Sequence, residues 1–352
     1  MNNRMTIAVA MSGGVDSSVA AALLAESDAR VFGLMLRLWS AGPERPNRCC
    51  SPRDVANASK VAGRLDIPFY VIDAKDKFKN RVVDGFISGY EAGLTPNPCL
   101  SCNRDLRWGL LLERAVKLGA THIATGHYAR VRKTNGHFHL FRASDRRKDQ
   151  SYVLSVLGQS QLARTIFPLG DLEKEEVREI ARRQEIVTAD RPESQDLCFL
   201  GGEDYRSFLS ERLVATPGAI EDNQGNMLAS HSGLSNFTIG QRKGIGVSGP
   251  EPLYVIDKNI ESNTLVVGPR SALGHMSFTV RDVNWVHGQP PSEVADLKVQ
   301  VRYRAPAVSA NIELLSDSTM VTTGEPLNNV APGQAAVFYE GDECLGGGII
   351  SR

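Results

Sequence analysis

An apolar, β-prone run from Thr6 to Met11 breaks at Ser12-Gly13-Gly14 and resumes with helical spacing from Asp16 to Ala25. Val31 to Leu38 and Ile67 to Ile72 read as further strands, and Thr121 to Thr125 as a short one ending at Gly126-His127. Helical segments fall between them. One opens with Ser51 as N-cap, Pro52 at the first helical position and Asp54 close behind, and two more span Asp76 to Gly89 and Asn103 to Leu118. Strands alternating with helices predict a parallel sheet covered on both faces, an α/β fold. Such sheets bind ligands at the carboxyl ends of their strands, where the Gly-rich turn lies.

Helical patterning returns at Asp171 to Gln184, with Val177, Ile180 and Ala181 on the inner face. After about Thr216 the texture changes to short alternating runs between Gly-, Pro- and Asn-rich turns. These runs are Leu253 to Asp257, Thr264 to Val267, Phe278 to Val283, Leu297 to Tyr303, Ala310 to Leu315 and Ala335 to Tyr339. They predict a sandwich or barrel. The expected division is an α/β nucleotide-binding domain over residues 1–209, a small β-rich central domain over 210–275 and a terminal β-barrel over 276–352.

Composition changes this picture little. The formal net charge is zero, so any nucleic-acid surface must be a local patch. Basic clusters occur at Arg142, Arg146, Arg147 and Lys148, at Arg242-Lys243, and at Arg302 with Arg304. Each alone reads as solvated surface. Arg4 and the apolar residues up to Ala25 imitate a signal peptide, but Ser12-Gly13-Gly14 and Asp16 interrupt its core. No stretch approaches the roughly 18 apolar residues of a membrane span. Six cysteines in 352 residues do not resemble a secreted disulfide framework and fit a cytoplasmic protein with catalytic or metal-binding thiols.

Three motifs carry chemistry. In Ser12-Gly13-Gly14-Val15-Asp16-Ser17-Ser18, between a strand and a helix, glycines admit an anion close to the backbone. Amides and the hydroxyls of Ser12, Ser17 and Ser18 can donate to phosphate oxygens, aided by the helix start. This is neither the GxxxxGK[ST] loop nor a GxGxxG turn. Asp16 is a candidate magnesium ligand and equally a helix-start acid. In Thr95-Pro96-Asn97-Pro98-Cys99-Leu100-Ser101-Cys102-Asn103, the expected helix begins just after the motif. That would set Cys102 near a helix N-terminus beside Arg104, both lowering its pKa. The third motif, residues 192–200, holds Cys198, which alone reads as a small buried hydrophobe.

The order SGGVDS, TPNPCxxCN, TGHYAR, KDQSYVL, DLCFLG, TIGQRKGIG and VRYR resembles the tRNA-specific 2-thiouridylases of the bacterial MnmA type, over nearly the whole chain. The loop resembles the PP-loop of ATP pyrophosphatases, which cleave between the α- and β-phosphates. The resemblance implies a PP-loop domain, a small central domain and a C-terminal barrel. It implies ATP bound around Ala8, Val9, Ala10, Met11, Ser12, Gly13, Gly14, Val15, Asp16, Ser17, Met35 and Gly126. It implies tRNA contacts at His127, Lys148, Asp149, Gln150, Arg302, Tyr303 and Gln334. Cys198 would carry a persulfide received from a cysteine desulfurase or sulfur-relay protein. Cys102 would be the partner thiol, forming a disulfide with it as the reaction ends. The implied reaction adenylates the wobble uridine (position 34) and puts sulfur at its C2, in tRNAs for Lys, Glu and Gln.

Cys99 departs from the pattern, standing where many members carry Asp. It is a third candidate catalytic residue. With Cys102 and Cys198 it also resembles the ligand set of related thiolases that hold a [4Fe–4S] cluster, an alternative to the persulfide. Cys49 and Cys50 have no assigned role, and Cys344 reads as structural. Two other functions compete with thiolation. A PP-loop synthetase adenylating a small acid or amide would leave the cysteine motifs unexplained, and a non-catalytic RNA-binding protein would leave the intact SGGVDS unexplained.

Overall fold

The protein is described from a computed structural model covering residues 4–42, 47, 50–191, 197–291, 296–328 and 330–351. Cys49 and residues 192–196 of the third motif lie outside the described residues.

Strand β1 (Thr6–Ala10) is buried on both faces, as its unbroken apolar run requires. With β2 (Arg30–Arg37), β3 (Phe69–Asp73) and β4 (His122–Thr125) it forms a parallel sheet. Hairpin β5 (Ala129–Thr134) and β6 (His137–Arg142) follows, and then β7 (Thr165–Ile166) completes the sheet in the order β3-β2-β1-β4-β7. Helix α1 (Val15–Ala25) lies against it through small residues, with Val19, Ala20, Ala21 and Ala22 buried. Helix α2 (Pro52–Arg64) starts with a full capping box between Ser51 and Asp54.

The central unit pairs β8 (Gly218–Asp222), β9 (Met227–His231), β10 (Tyr254–Asn259) and β11 (Thr264–Gly268) in the order β10-β11-β8-β9. The last unit comprises β12 (His275–Trp285), β13 (Leu297–Gln300), β14 (Val308–Leu314), β15 (Ser318–Leu327), β16 (Ala335–Glu340) and β17 (Glu343–Ser351). The order β12-β15-β14-β13-β16-β17, closed by pairing of β12 with β17, makes a six-stranded barrel.

Hairpin β5–β6 belongs in sequence to the α/β half, yet β6 pairs with the start of β17 through Glu343 opposite Phe141 and Cys344 opposite Leu140. A buried polar network reinforces the join. Arg142 stacks 3.6 Å from the Tyr339 ring centroid and donates to Asp149 Oδ2 at 3.1 Å and Gln300 Oε1 at 3.0 Å. Burial pushes the Cys344 thiol well above its usual range, which suits a packing role.

Candidate active site

One cleft of about 840 Å³ opens at the carboxyl ends of β1 and β4 and runs to the barrel. Its floor is the loop after β1. Gly13 has φ +72 and lies against the Asp54 backbone so closely that no Cβ fits. Gly14 is the N-cap of α1 and supplies no side-chain cap, so the first-turn amides remain available to an anion. Ser12 and Ser17 line the cleft, their hydroxyls 3.2 Å apart. Ser18 does not; it is buried and donates to Gly14 O at 2.9 Å.

Asp16 also lines the cleft. Its Oδ1 accepts from Tyr128 Oη at 2.8 Å and from Lys174 Nζ at 2.5 Å. Lys174 is buried, so this acid serves first as the counter-charge of an interior cation. Arg191 donates to Gly13 O at 2.9 Å and to the buried carboxylate of Asp54, tying the loop to the start of α2. His127, buried behind Gly126, receives Arg107 Nη1 on Nε2 at 2.6 Å and has Thr125 Oγ1 on Nδ1 at 2.8 Å. An acceptor at Nε2 assigns the proton to Nδ1. Burial, and then the neighbouring Arg107, hold the imidazole neutral, well below its usual range.

Two of the three candidate thiols lie on the other wall; Cys198 is outside the lining, although its neighbours Leu197 and Leu200 are in it. Cys99 and Cys102 both line the cleft. The helix carrying them begins at Pro98, with Asn97 Oδ1 accepting from Cys99 N at 3.1 Å. The expected start after the motif is therefore corrected by one turn: Cys99 is in the first turn, where the helix dipole acts, and Cys102 begins a π-helical stretch, Cys102–Leu111. Arg104 turns to Asp105, its Nε 3.0 Å from Oδ1. Cys198 opens the short turn Cys198–Leu200. Cys102 and Cys198 pack against the same cluster, which includes Phe78, Phe86, Phe199 and Phe208.

Family models agree along the chain: the tRNA methyl transferase HUP domain matches residues 5–202, the tRNA methyl transferase PRC-barrel domain 206–269 and the aminomethyltransferase beta-barrel domain 275–350. The chain is 46% identical over 354 residues to the tRNA-specific 2-thiouridylase MnmA of Chloroflexus aurantiacus, with 98% of each covered. The protein of that name from Carboxydothermus hydrogenoformans is 44% identical, covering 99% of this chain and 98% of its own. That from Magnetococcus marinus is 43% identical, covering 99% and 100%. The chain belongs to the tRNA-specific 2-thiouridylase family.

In this thiouridylase-family chain the N-terminal unit is an ATP-binding PP-loop domain. Of the residues expected around ATP, Ala10, Met11, Ser12, Gly14, Val15, Asp16, Ser17 and Gly126 line the cleft. Ala8 and Val9 are buried within β1, and Met35 packs in the core cluster that holds α1 and α2. Of those expected to meet tRNA, His127, Lys148, Gln150, Tyr303 and Gln334 line the cleft. Asp149 does not, because both its oxygens are engaged by Arg142, Ser151 and the Ala143 amide. Arg302 lies outside the lining, whereas Arg304 is in it.

Most of the first basic cluster is consumed in ion pairs, Arg146 with Asp342 and Arg147 with Asp145 and Glu175. Arg242 and Lys243 are exposed away from the cleft. The cleft nevertheless gathers five cations (Arg107, Lys148, Lys174, Arg191 and Arg304) against Asp16, Glu203 and Asp204. A neutral chain thus holds a locally positive site. Sequence reading missed Arg107, Lys174 and Arg191. Only Arg191 carried a signal, next to the Cys198 motif.

Proposed function

We propose that this chain is a tRNA uridine 2-sulfurtransferase that adenylates the wobble uridine and delivers sulfur to C2 from a persulfide on Cys198. The observation that most supports this reading is the convergence on one cleft of the PP-loop, the Cys99/Cys102 helix, and Tyr303 and Gln334 of the barrel.

The amides at the start of α1 and the hydroxyls of Ser12 and Ser17 receive the ATP phosphates. Uridine O2 attacks the α-phosphorus and pyrophosphate leaves, so a poor leaving group becomes AMP. Asp16 has Oδ2 left to hold magnesium, which would neutralise phosphate charge. The terminal sulfur of the Cys198 persulfide attacks C2, and AMP departs. The Cys102 thiolate then attacks the Cys198 sulfur, breaking the S–S bond. That step releases 2-thiouridine and leaves a Cys102–Cys198 disulfide, which an external thiol must reduce before the next turnover. The base must leave the anticodon stack to enter the cleft, and anticodon loops of the Lys, Glu and Gln tRNAs are the expected substrates. A cysteine desulfurase or sulfur-relay protein would charge Cys198. The exchange is placed in the cytoplasm; no helix among the described residues is long and apolar enough to cross a membrane.

Cys99, exposed and lining the same cleft, favours a second reading. Cys99, Cys102 and Cys198 would hold a [4Fe–4S] cluster, whose chemistry would be direct uptake of sulfide. An anaerobic assay with ATP, magnesium, unmodified tRNA and a desulfurase distinguishes the two, with iron and 2-thiouridine both quantified. We expect product from iron-free protein and none from Cys198→Ser, which still binds tRNA. Thiolation retained in Cys198→Ser would sink the carrier assignment, and product only from iron-loaded protein would favour the cluster.

A further inference from the structure

Three of the chain's seven histidines meet in a second cleft, of about 610 Å³, whose lining shares no residue with the first. His137 and His139 are two apart on β6 and so share one face of the strand. His287 follows the end of β12, and Glu343 starts β17. His139 Nδ1 lies 2.8 Å from Glu343 Oε1, His287 Nε2 lies 3.2 Å from the same oxygen, and the two nitrogens are 3.2 Å apart. The His137 ring stacks on His287 with centroids 5.8 Å apart.

With Glu343 as a carboxylate, this triangle is not satisfied by protons on the two imidazoles. If both nitrogens donate to Oε1, the nitrogen–nitrogen edge sets two N–H groups against each other. If His287 Nε2 instead accepts from His139, it presents a lone pair to the carboxylate oxygen. Some edge is repulsive in either tautomer. A cation outside the plane of the three atoms converts all three contacts into attraction. Tetrahedral coordination with bonds of about 2.0–2.1 Å places neighbouring donors about 3.3 Å apart, close to the edges present.

We propose that His139, His287 and Glu343 bind a divalent transition-metal ion of the borderline class, zinc-like rather than magnesium-like, that fastens hairpin β5–β6 to the barrel. Two imidazoles and one carboxylate suit zinc and its neighbours, whereas magnesium and calcium prefer all-oxygen sites. The ligands come from β6, the segment after β12, and β17, so the ion crosses the join between the α/β half and the barrel. The roomy cleft leaves the fourth position to water.

The test uses the full-length chain after chelation, titrated with Zn²⁺ by calorimetry beside His287→Gln and Glu343→Gln. Zinc held by the thiols is common to all three proteins and cancels in the comparison. His287 is exposed, so its replacement leaves the fold intact, and circular dichroism checks this. The expected result is one Zn²⁺ more per chain in the parent than in either variant, or binding weakened about tenfold or more. A melting temperature raised more by Zn²⁺ in the parent than in His287→Gln is the second expected sign. Equal zinc uptake by parent and variants, or no thermal shift specific to the parent, overturns the proposal.

Discussion

At Gly126 the end of β4 meets the start of α1, and a Cβ there would lie 2.7 Å from Ser17 N and 2.8 Å from Asp16 C. Neither backbone can yield without shifting the amides that face the cleft. Gly126→Ala should therefore cost roughly 1–3 kcal/mol of stability and weaken ATP binding. Urea unfolding and nucleotide titration check the two effects; an alanine variant with unchanged ATP affinity would refute this account of the loop. Asp16 shows where sequence reading stops at this scale. The motif marked the residue, but its partners Tyr128 and Lys174 are 112 and 158 positions away, and no local spacing points to either.

Among elements, β1 and β2 were legible because strands buried on both faces read as continuous apolar runs, and Ser51-Pro52 marked α2 by capping chemistry. Hairpin β5–β6 was not legible. Its strands carry Arg130, Arg132, Lys133, His137 and His139, and half of its reason to exist is a strand far along the chain. β17 was hidden by three successive glycines, 346–348, which weaken a strand signal. The turn after β4 carries a consequence for pH. Buried His127 stays neutral in the fold but takes up a proton in the unfolded chain below about pH 6.5. The unfolded state then binds the extra proton, so stability is full above that pH and falls below it, by up to about 1.4 kcal/mol per pH unit. Urea unfolding at pH 7.5 and 5.5 should show a smaller acid loss in His127→Gln than in the parent. An equal loss would place the acid sensitivity elsewhere.

Across the whole molecule, the cleft is complete only because the barrel reaches it. Thr95 N donates to Pro332 O at 2.8 Å and Gln334 Nε2 donates to Thr95 O at 2.7 Å, fixing the segment before Cys99 against the barrel. Gln334→Ala leaves the Thr95 carbonyl without that bond, a cost of about 1–3 kcal/mol. Thiolation should fall while ATP affinity holds, because the PP-loop lies on another wall. Parallel loss of both in single-turnover and nucleotide-binding assays would contradict this division of labour. The domain order was readable from texture alone, but these joins were not, since each links residues more than 200 positions apart.

The pairing of β6 with β17 also imposes an order of events during synthesis. His139 and Glu343 are separated by 204 positions. At roughly 5–20 residues per second, β6 waits roughly 10–40 s on the ribosome before its outer partner exists. An unpaired apolar edge held that long invites pairing with other nascent chains. The hairpin's arginines, lysine and histidines make that edge unattractive while it waits, and Asp342, arriving just ahead of β17, pairs with Arg130 when the edge is finally covered.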